Sequence, residues 1–162
     1  MITYRPERPK DGPLIEHVLD VSFGPGRFAK TAYRLREGVA PIDALGYVVE
    51  EDGAPRGTIR YWPVLIGGTP SIMLGPVAVL PAHRGRGMAI QLMKLSLSKA
   101  AELGHRSVIL VGDEPYYARV GFTRVPAGRM TMPGPVDYTR LLWRELAPGG
   151  LDDLKGPITR AA

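Results

Sequence analysis

Residues 72–103, IMLGPVAVLPAHRGRGMAIQLMKLSLSKAAEL, constrain the fold more than any other part of the chain. The stretch opens rich in Val, Ile and Leu, passes a proline and a basic turn punctuated by glycines, and continues at helical spacing. That order predicts a strand over residues 72–80 feeding directly into a helix over residues 87–103. Met88, Leu92, Leu95 and Lys99 fall on one line of the helix, with Ala89, Met93, Ala100 and Leu103 beside it. Such a stripe needs a sheet to cover it. Gly104 stops the helix, and residues 107–111 read as a second apolar strand. Strand, helix, strand at this spacing is a parallel crossover and places the chain among the α/β folds.

The junction RGRGMA, residues 84–89, carries the most specific chemistry. Gly85 and Gly87 remove side chains where a ligand must approach the backbone, and the first N–H groups of the helix have no intrahelical partners. With Arg84 and Arg86 beside them, these donors suit a phosphate or pyrophosphate. No Lys-Ser/Thr follows, so the turn is not a P-loop, and the spacing misses the three-glycine dinucleotide fingerprint.

Around this unit, residues 2–6 read as a first strand. Leu14, Ile15, Val18, Leu19 and Phe23 mark a first helix, which Gly24-Pro25-Gly26 stops. A second helix is expected over residues 28–36. Residues 47–49 and 55–63 form a hairpin about Glu51-Asp52-Gly53, and residues 65–70 a Gly-rich connection. Inside the organising strand, Gly75-Pro76 predicts an irregularity, because proline cannot donate to a sheet ladder. Pro115 opens a short helix that Gly121 ends, and residues 122–125 resume extended structure. A last strand is expected over residues 137–146, followed by a C-terminal tail at residues 148–162.

Composition narrows the classes of function. The length of 162 residues and a 44% hydrophobic content suit a single domain, 1–162, with a sizeable core. No apolar run of about 18 residues marks a membrane span. The polar start MITYRPERPKDG lacks the apolar centre of a secretory signal, so cytoplasmic residence is expected. The absence of cysteine excludes thiol nucleophiles and Cys-ligated zinc. His17 and His105 join no metal-ligand spacing, no metal is expected, and G-x-S-x-G is missing. The net charge of +5 is scattered rather than gathered into a block interleaved with aromatics, so nucleic acid is not expected as the primary partner.

Two motifs then point to one family. R-x-x-G-x-A (Arg84, Gly87, Ala89) after V-A-V-x-P resembles the acyl-CoA pyrophosphate loop of the GNAT superfamily of N-acetyltransferases. YYARVGF, residues 116–122, resembles its other hallmark, a short helix after the fifth strand that carries a tyrosine and ends in Gly-Phe. One helix and one strand separate them, as in the family. LGPVAVLPAHRGRG, GDEPYYARVGF and a late MPGPV are similar to the YhbS-like subgroup over most of the chain.

The resemblance implies an α/β (α+β) GNAT fold: a mixed central sheet of six to seven strands, the fourth and fifth splayed, flanked by helices. It implies an acetyl-CoA-dependent N-acetyltransferase whose cofactor lies along Val77, Ala78 and Val79, the two valines offering backbone groups to the pantetheine arm. The amides of Arg84, Gly85, Arg86, Gly87, Met88 and Ala89 would take the pyrophosphate. Tyr117 carries over as the tyrosine that protonates the departing thiolate, with Tyr116 as a cofactor contact and the neighbouring alternative. Many members carry a glutamate base on the fourth strand, but Met73 occupies that position. His83, Glu50 and Asp113 remain as candidates, a water chain or an already neutral amine needs none of them, and no base is assigned. The expected acceptor is a small-molecule primary amine. A peptide or protein amine, or a noncatalytic acyl-CoA-binding module of the same fold, stand as alternatives. The first two helices, residues 65–70 and residues 125–136 are expected to flank the acceptor, and the edge strands of the fold are compatible with a homodimer.

Overall fold

Period-two alternation along a long central hairpin sets the architecture. The computed structural model describes residues 1–23 and 30–161, and these form nine strands. In chain order they are β1 (Ile2–Pro6), β2 (Tyr47–Glu51), β3 (Ala54–Ile66), β4 (Thr69–Val79), β5 (Ser107–Val111), β6 (Thr123–Arg124), β7 (Met130–Thr131), β8 (Leu141–Glu145) and β9 (Gly156–Arg160). The α-helices are α1 (Gly12–Phe23), α2 (Thr31–Arg34), α3 (Met88–Glu102) and α4 (Glu114–Tyr117). Seven strands follow one path, β1-β2-β3-β4-β5-β8-β6, while β9 pairs with β3 and with β7. Only the β4–β5 neighbours on that path, joined through α3, run parallel. No helix of the described residues is long and apolar enough to cross a membrane.

Successive side chains of a strand point to opposite faces, and the two faces bury different helices. Tyr47, Val49, Ile59, Tyr61, Ile72, Leu74 and Val79 pack with Leu92, Met93, Leu97 and Ala100 of α3. Val48 and Ala78, pointing the other way, pack with Ile15, Val18 and Leu19 of α1. Buried Ser96 of α3 is satisfied by the Tyr61 hydroxyl at 2.7 Å and by the Leu92 carbonyl at 2.7 Å, so it adds no unpaired polar group to the core.

The irregularity predicted at Gly75-Pro76 is a bulge. Ile59 stands opposite Val77 and Tyr61 opposite Leu74, so Arg60 alone faces two residues of β4. One extra residue reverses the alternation. This is why Leu74 and Val77 both turn toward the α3 side, whereas Met73 joins Ile109 and Trp143 in a cluster on the opposite face.

Several boundaries differ from expectation. The expected helix over residues 28–36 begins outside the described residues, and the Gly24-Pro25-Gly26 stop expected for the first helix lies outside them. Within the described chain its helical part is the single turn of α2, and further turn hydrogen bonds run to Val39. The connection expected at residues 65–70 is mostly strand, with Leu65 opposite Pro70 and Gly67-Gly68 as the turn. Pro63 did not end β3. The Tyr61 carbonyl accepts from the Ile42 amide at 2.9 Å on the edge away from β4. Pro63, two residues on, turns its missing donor to that same edge, between the stretches paired with β2 and β9. The expected strand over residues 137–146 starts at Leu141, after a short 3-10 turn at Tyr138–Arg140. The tail ends as strand β9, with buried Leu154 and Ile158 as its anchors.

Candidate active site

β4 and β5 begin joined and then part. The Ser71 and Ser107 hydroxyls meet at 2.7 Å, and the parallel register holds only for Ile72 with Val108 and Met73 with Ile109. Beyond those pairs, β4 continues through residues 74–79 beside β3, while residues 110–111 of β5 pair with β8 alone. The strands therefore open a V whose apex is the serine pair. A cavity of about 680 Å³ occupies its mouth, lined by residues 73–77 of β4, residues 110–113 after β5, Tyr116, Tyr117, the α2 region and residues 132–140.

The β4 backbone is aimed into this opening. The Leu80 amide donates to the Arg56 carbonyl at 2.8 Å, so Leu80 turns its polar groups toward β3. Polar groups alternate along an antiparallel pair, so Ala78 also faces β3, where it stands opposite Thr58. Val77 and Val79 direct their N–H and C=O groups away from β3. An independent contact agrees, since Arg84 Nε reaches the Val79 carbonyl at 3.0 Å from the open side. Ala78 thus presents neither backbone donor nor carbonyl to the V, and its side chain is buried against α1.

At the far end of β4, Gly87 caps α3 in the left-handed region at φ 79°, and no side chain caps the helix. Gly85 is also left-handed at φ 80°, and a Cβ at either glycine would meet nothing within 4 Å. The turn therefore leaves open space beside uncapped amides. Met88 is buried in the core and Ala89 packs against it, so these two offer only backbone. The Arg84 amide already makes a long bond to the Pro81 carbonyl at 3.4 Å, and Arg86 is not a free side chain. Arg86 makes two bonds to Glu51, at 3.0 and 2.5 Å, and Glu51 also lies 3.8 Å from Arg56 and 3.7 Å from His83. The Arg86 hydrogen bond is the main reason the Glu51 carboxyl is held down to about 2. Residues 84–89 do not line the cavity; the polar edge of Val77 and Val79 lies between the two.

Tyr117 enters the cavity from α4. The Phe122 amide bonds the Tyr117 carbonyl at 3.2 Å, and the Gly121 amide bonds the Ala118 carbonyl at 3.1 Å, with Gly121 at φ 88°. This is a Schellman termination, whose accompanying apolar contact joins the residues at its two ends. Here the contact is between the Tyr117 and Phe122 rings, 6.2 Å apart and edge-on. The Gly-Phe of the motif therefore fixes the tyrosine. Gly112 supplies the other wall, since a Cβ there would come within 2.3 Å of the Tyr117 ring. Burial, reinforced by Tyr116 and Asp113, pushes the phenol up to about 12, so it keeps its proton at neutral pH. Tyr116 stacks edge-on at 5.1 Å and also lines the cavity.

The base candidates fare differently. Met73 is 2% exposed and has no proton to exchange. Glu50 is engaged with Arg5 at 3.1 Å, and His83 sits with Glu51 and Arg86; neither lines the cavity. Asp113 does line it, 3.5 Å from Arg140. Sequence reasoning missed Asp137, which accepts two bonds from Thr139 that hold its pKa down, and it also missed Arg36. Residues 65–70 do not reach the cavity, contrary to expectation, whereas α2 and residues 132–136 do.

The chain is similar to known acetyltransferases in sequence and in fold. The acetyltransferase (GNAT) domain matches residues 43–124. The N-acetyltransferase YhbS of Escherichia coli K12 is 36% identical over 121 residues, 73% of this chain and 71% of that protein. The crystal structure of E. coli YhbS in complex with CoA superposes with a TM-score of 0.84 at 29% identity, covering 98% of this chain and 89% of that one. A GNAT family acetyltransferase from Brucella melitensis, in complex with acetyl-CoA, superposes at 0.63 with 35% identity over 76% of this chain and 83% of that one.

Proposed function

The chain belongs to the GNAT acetyltransferase family, and from that premise we propose that it transfers the acetyl group of acetyl-CoA to the primary amine of a small molecule in the cavity beside Tyr117. The observation that carries this reading is the V between β4 and β5, with the polar edge of residues 77 and 79 facing into it and Tyr117 at its mouth. When bound, acetyl-CoA supplies a thioester whose acyl carbon an amine attacks. Val77 and Val79 offer the pantetheine arm the backbone groups a strand partner would otherwise take. The uncapped amides of residues 85–89 suit the pyrophosphate, with the α3 dipole behind them. Tyr117 holds a proton at its phenol for the departing thiolate, and its raised pKa keeps that proton in place. Met73 cannot act as a base; an acceptor that enters as the neutral amine needs none, and Asp113 is the weighed candidate that lines the cavity. The cavity volume falls in the range of small-molecule sites, which favours a compact acceptor over a folded protein.

Met73 also favours a second reading, an acyl-CoA-binding module without turnover. A thiol-release assay over a panel of amines separates the two. Sustained release with at least one amine supports transfer, whereas tight CoA binding with no release on any amine supports the module.

A further inference from the structure

Among the described residues, Arg36 in the cavity wall is a cation held between aromatic rings with no carboxylate beside it. Arg36, just beyond α2, borders both the main cavity and a smaller one of about 290 Å³. Its guanidinium carbon stands 4.3 Å from the centre of the Tyr33 ring and 5.6 Å from that of Trp62. Its Nε is buried without a hydrogen-bond partner. Among the described residues no carboxylate pairs with it, although Arg5, Arg60 and Arg86 are each paired, with Asp11, Glu7 and Glu51. Burial lowers its pKa to about 10, which leaves it charged at neutral pH. Tyr33 also hydrogen-bonds it, and a partly buried cation with no carboxylate partner keeps an attraction for an anion that aromatic faces do not fully meet. The rest of the wall repeats the sign of the charge, with Lys30, Arg34 and Arg140 set against Asp113 and Asp137.

The position is also built in advance of any ligand. Trp62 donates from Nε1 to the Gly75 carbonyl at 2.6 Å, which ties one aromatic face to the β4 bulge. Arg36 Nη2 lies against Gly75, 3.2 Å from where a Cβ would stand. The bulge therefore brings a guanidinium next to the stretch of β4 that opens into the V.

The geometry points to Arg36 as the group that receives a carboxylate of the acceptor, which makes the substrate an amine that also bears a carboxylate, such as an amino acid. A guanidinium offers the planar, two-pronged donor set that matches a carboxylate, and its place beside the β4 bulge sets it next to the V. The inference rests on the acetyl-transfer reading of this cavity and narrows its substrate class.

The test compares leucine with leucinamide and phenylalanine with phenylalaninamide as acceptors, and N-acetylleucine with N-acetylleucinamide in calorimetric titrations of the CoA-loaded protein. Wild type, Arg36→Lys and Arg36→Gln are measured side by side, together with CoA affinity and melting temperature. The expected result is at least a tenfold preference for the carboxylate member of a pair, expressed mainly in KM or in Kd. That preference is lost in Arg36→Gln and partly kept in Arg36→Lys, with CoA affinity within twofold of wild type. Equal handling of carboxylate and amide, a preference that survives Arg36→Gln, or no carboxylate-dependent binding or turnover while CoA still binds overturns the assignment. A lower melting temperature in Arg36→Gln without a change in preference also overturns it, leaving Arg36 as a packing residue. If CoA itself fails to bind wild type, the acetyl-transfer reading falls, and the N-acetylleucine pair titrated without CoA still decides the role of Arg36 by the same criteria.

Discussion

Tyr117 shows how neighbours fix a single side chain in the cavity wall. Its ring is walled by Gly112 and braced by Phe122, and its phenol stays protonated up to about 12. Tyr117→Phe removes the proton and keeps the packing, so kcat is expected to fall by about 10²-fold to 10³-fold with KM for acetyl-CoA little changed. Steady-state kinetics on wild type and variant check this. The same shift fixes the alkaline behaviour. The folded pKa lies above the usual tyrosine value of about 10, so the folded protein holds the proton more firmly. Its contribution to stability is whole below about pH 10 and is lost between there and about pH 12. The rate therefore shows no limb from Tyr117 below about pH 10. If the acceptor enters as the neutral amine, the acid limb of kcat/KM follows the acceptor's own ammonium pKa and moves when the acceptor is changed; a limb that stays fixed across acceptors points to a protein base such as Asp113. Tyr117 could be singled out only through the resemblance of YYARVGF to a family motif, whose Gly121-Phe122 supply the helix termination. Arg36 could not be singled out. Nothing local distinguishes it from Arg34, and its place in the wall depends on Trp62 and Gly75, which are distant in sequence.

At the scale of elements, strand, turn and helix work as one device. The strand edge at residues 77 and 79 and the bare start of α3 both present backbone, so side-chain changes there act mainly by moving the chain. Gly87→Ala forces a side chain into the left-handed region at φ 79°, which costs about 1 kcal/mol. If the turn relaxes to relieve that strain, its amides leave their positions, and CoA affinity is expected to weaken about tenfold while the melting temperature moves by only a few degrees. Calorimetric titration with CoA measures the first and thermal unfolding the second; unchanged affinity would show that the turn does not hold the pyrophosphate. The crossover could be read from residues 72–111 because apolar spacing changes there from strand to helix and back. The bulge could be located at Gly75-Pro76, but its consequence, the reversal that puts Leu74 and Val77 on one face, needs the register with β3. The β3–β4 hairpin was cut short because Pro63 reads as a strand end, and only the position of the neighbouring strands shows that its edge is free of a ladder partner.

Over the whole molecule, the sheet is held by contacts remote from the cavity, which leaves the site open without loosening the fold. β9 covers part of the β3 edge, pairing Ile158 with Ile66 and Arg160 with Val64, a role that tail composition alone does not disclose. At the opposite end, Arg5 and Asp11 form a buried pair, with bonds of 2.7 and 2.9 Å that join β1 to the segment leading into α1. Arg5 is the main cause of the Asp11 carboxyl being held down to about 2. The folded pKa is depressed, so this stabilisation is present above about pH 4 and is lost as the pH falls toward 2. Asp11→Asn is expected to destabilise the protein by about 3 kcal/mol at neutral pH and to flatten its stability between pH 4 and 2. Urea unfolding across that range checks both, and CoA affinity under folding conditions should not change. The most direct test of the whole account is a crystal structure of this protein with acetyl-CoA. The expected density runs along residues 77–79 between β4 and β5, with the pyrophosphate on the amides of residues 85–89 and the sulfur beside the Tyr117 hydroxyl. Cofactor bound away from that turn, or a thioester end remote from Tyr117, would contradict it.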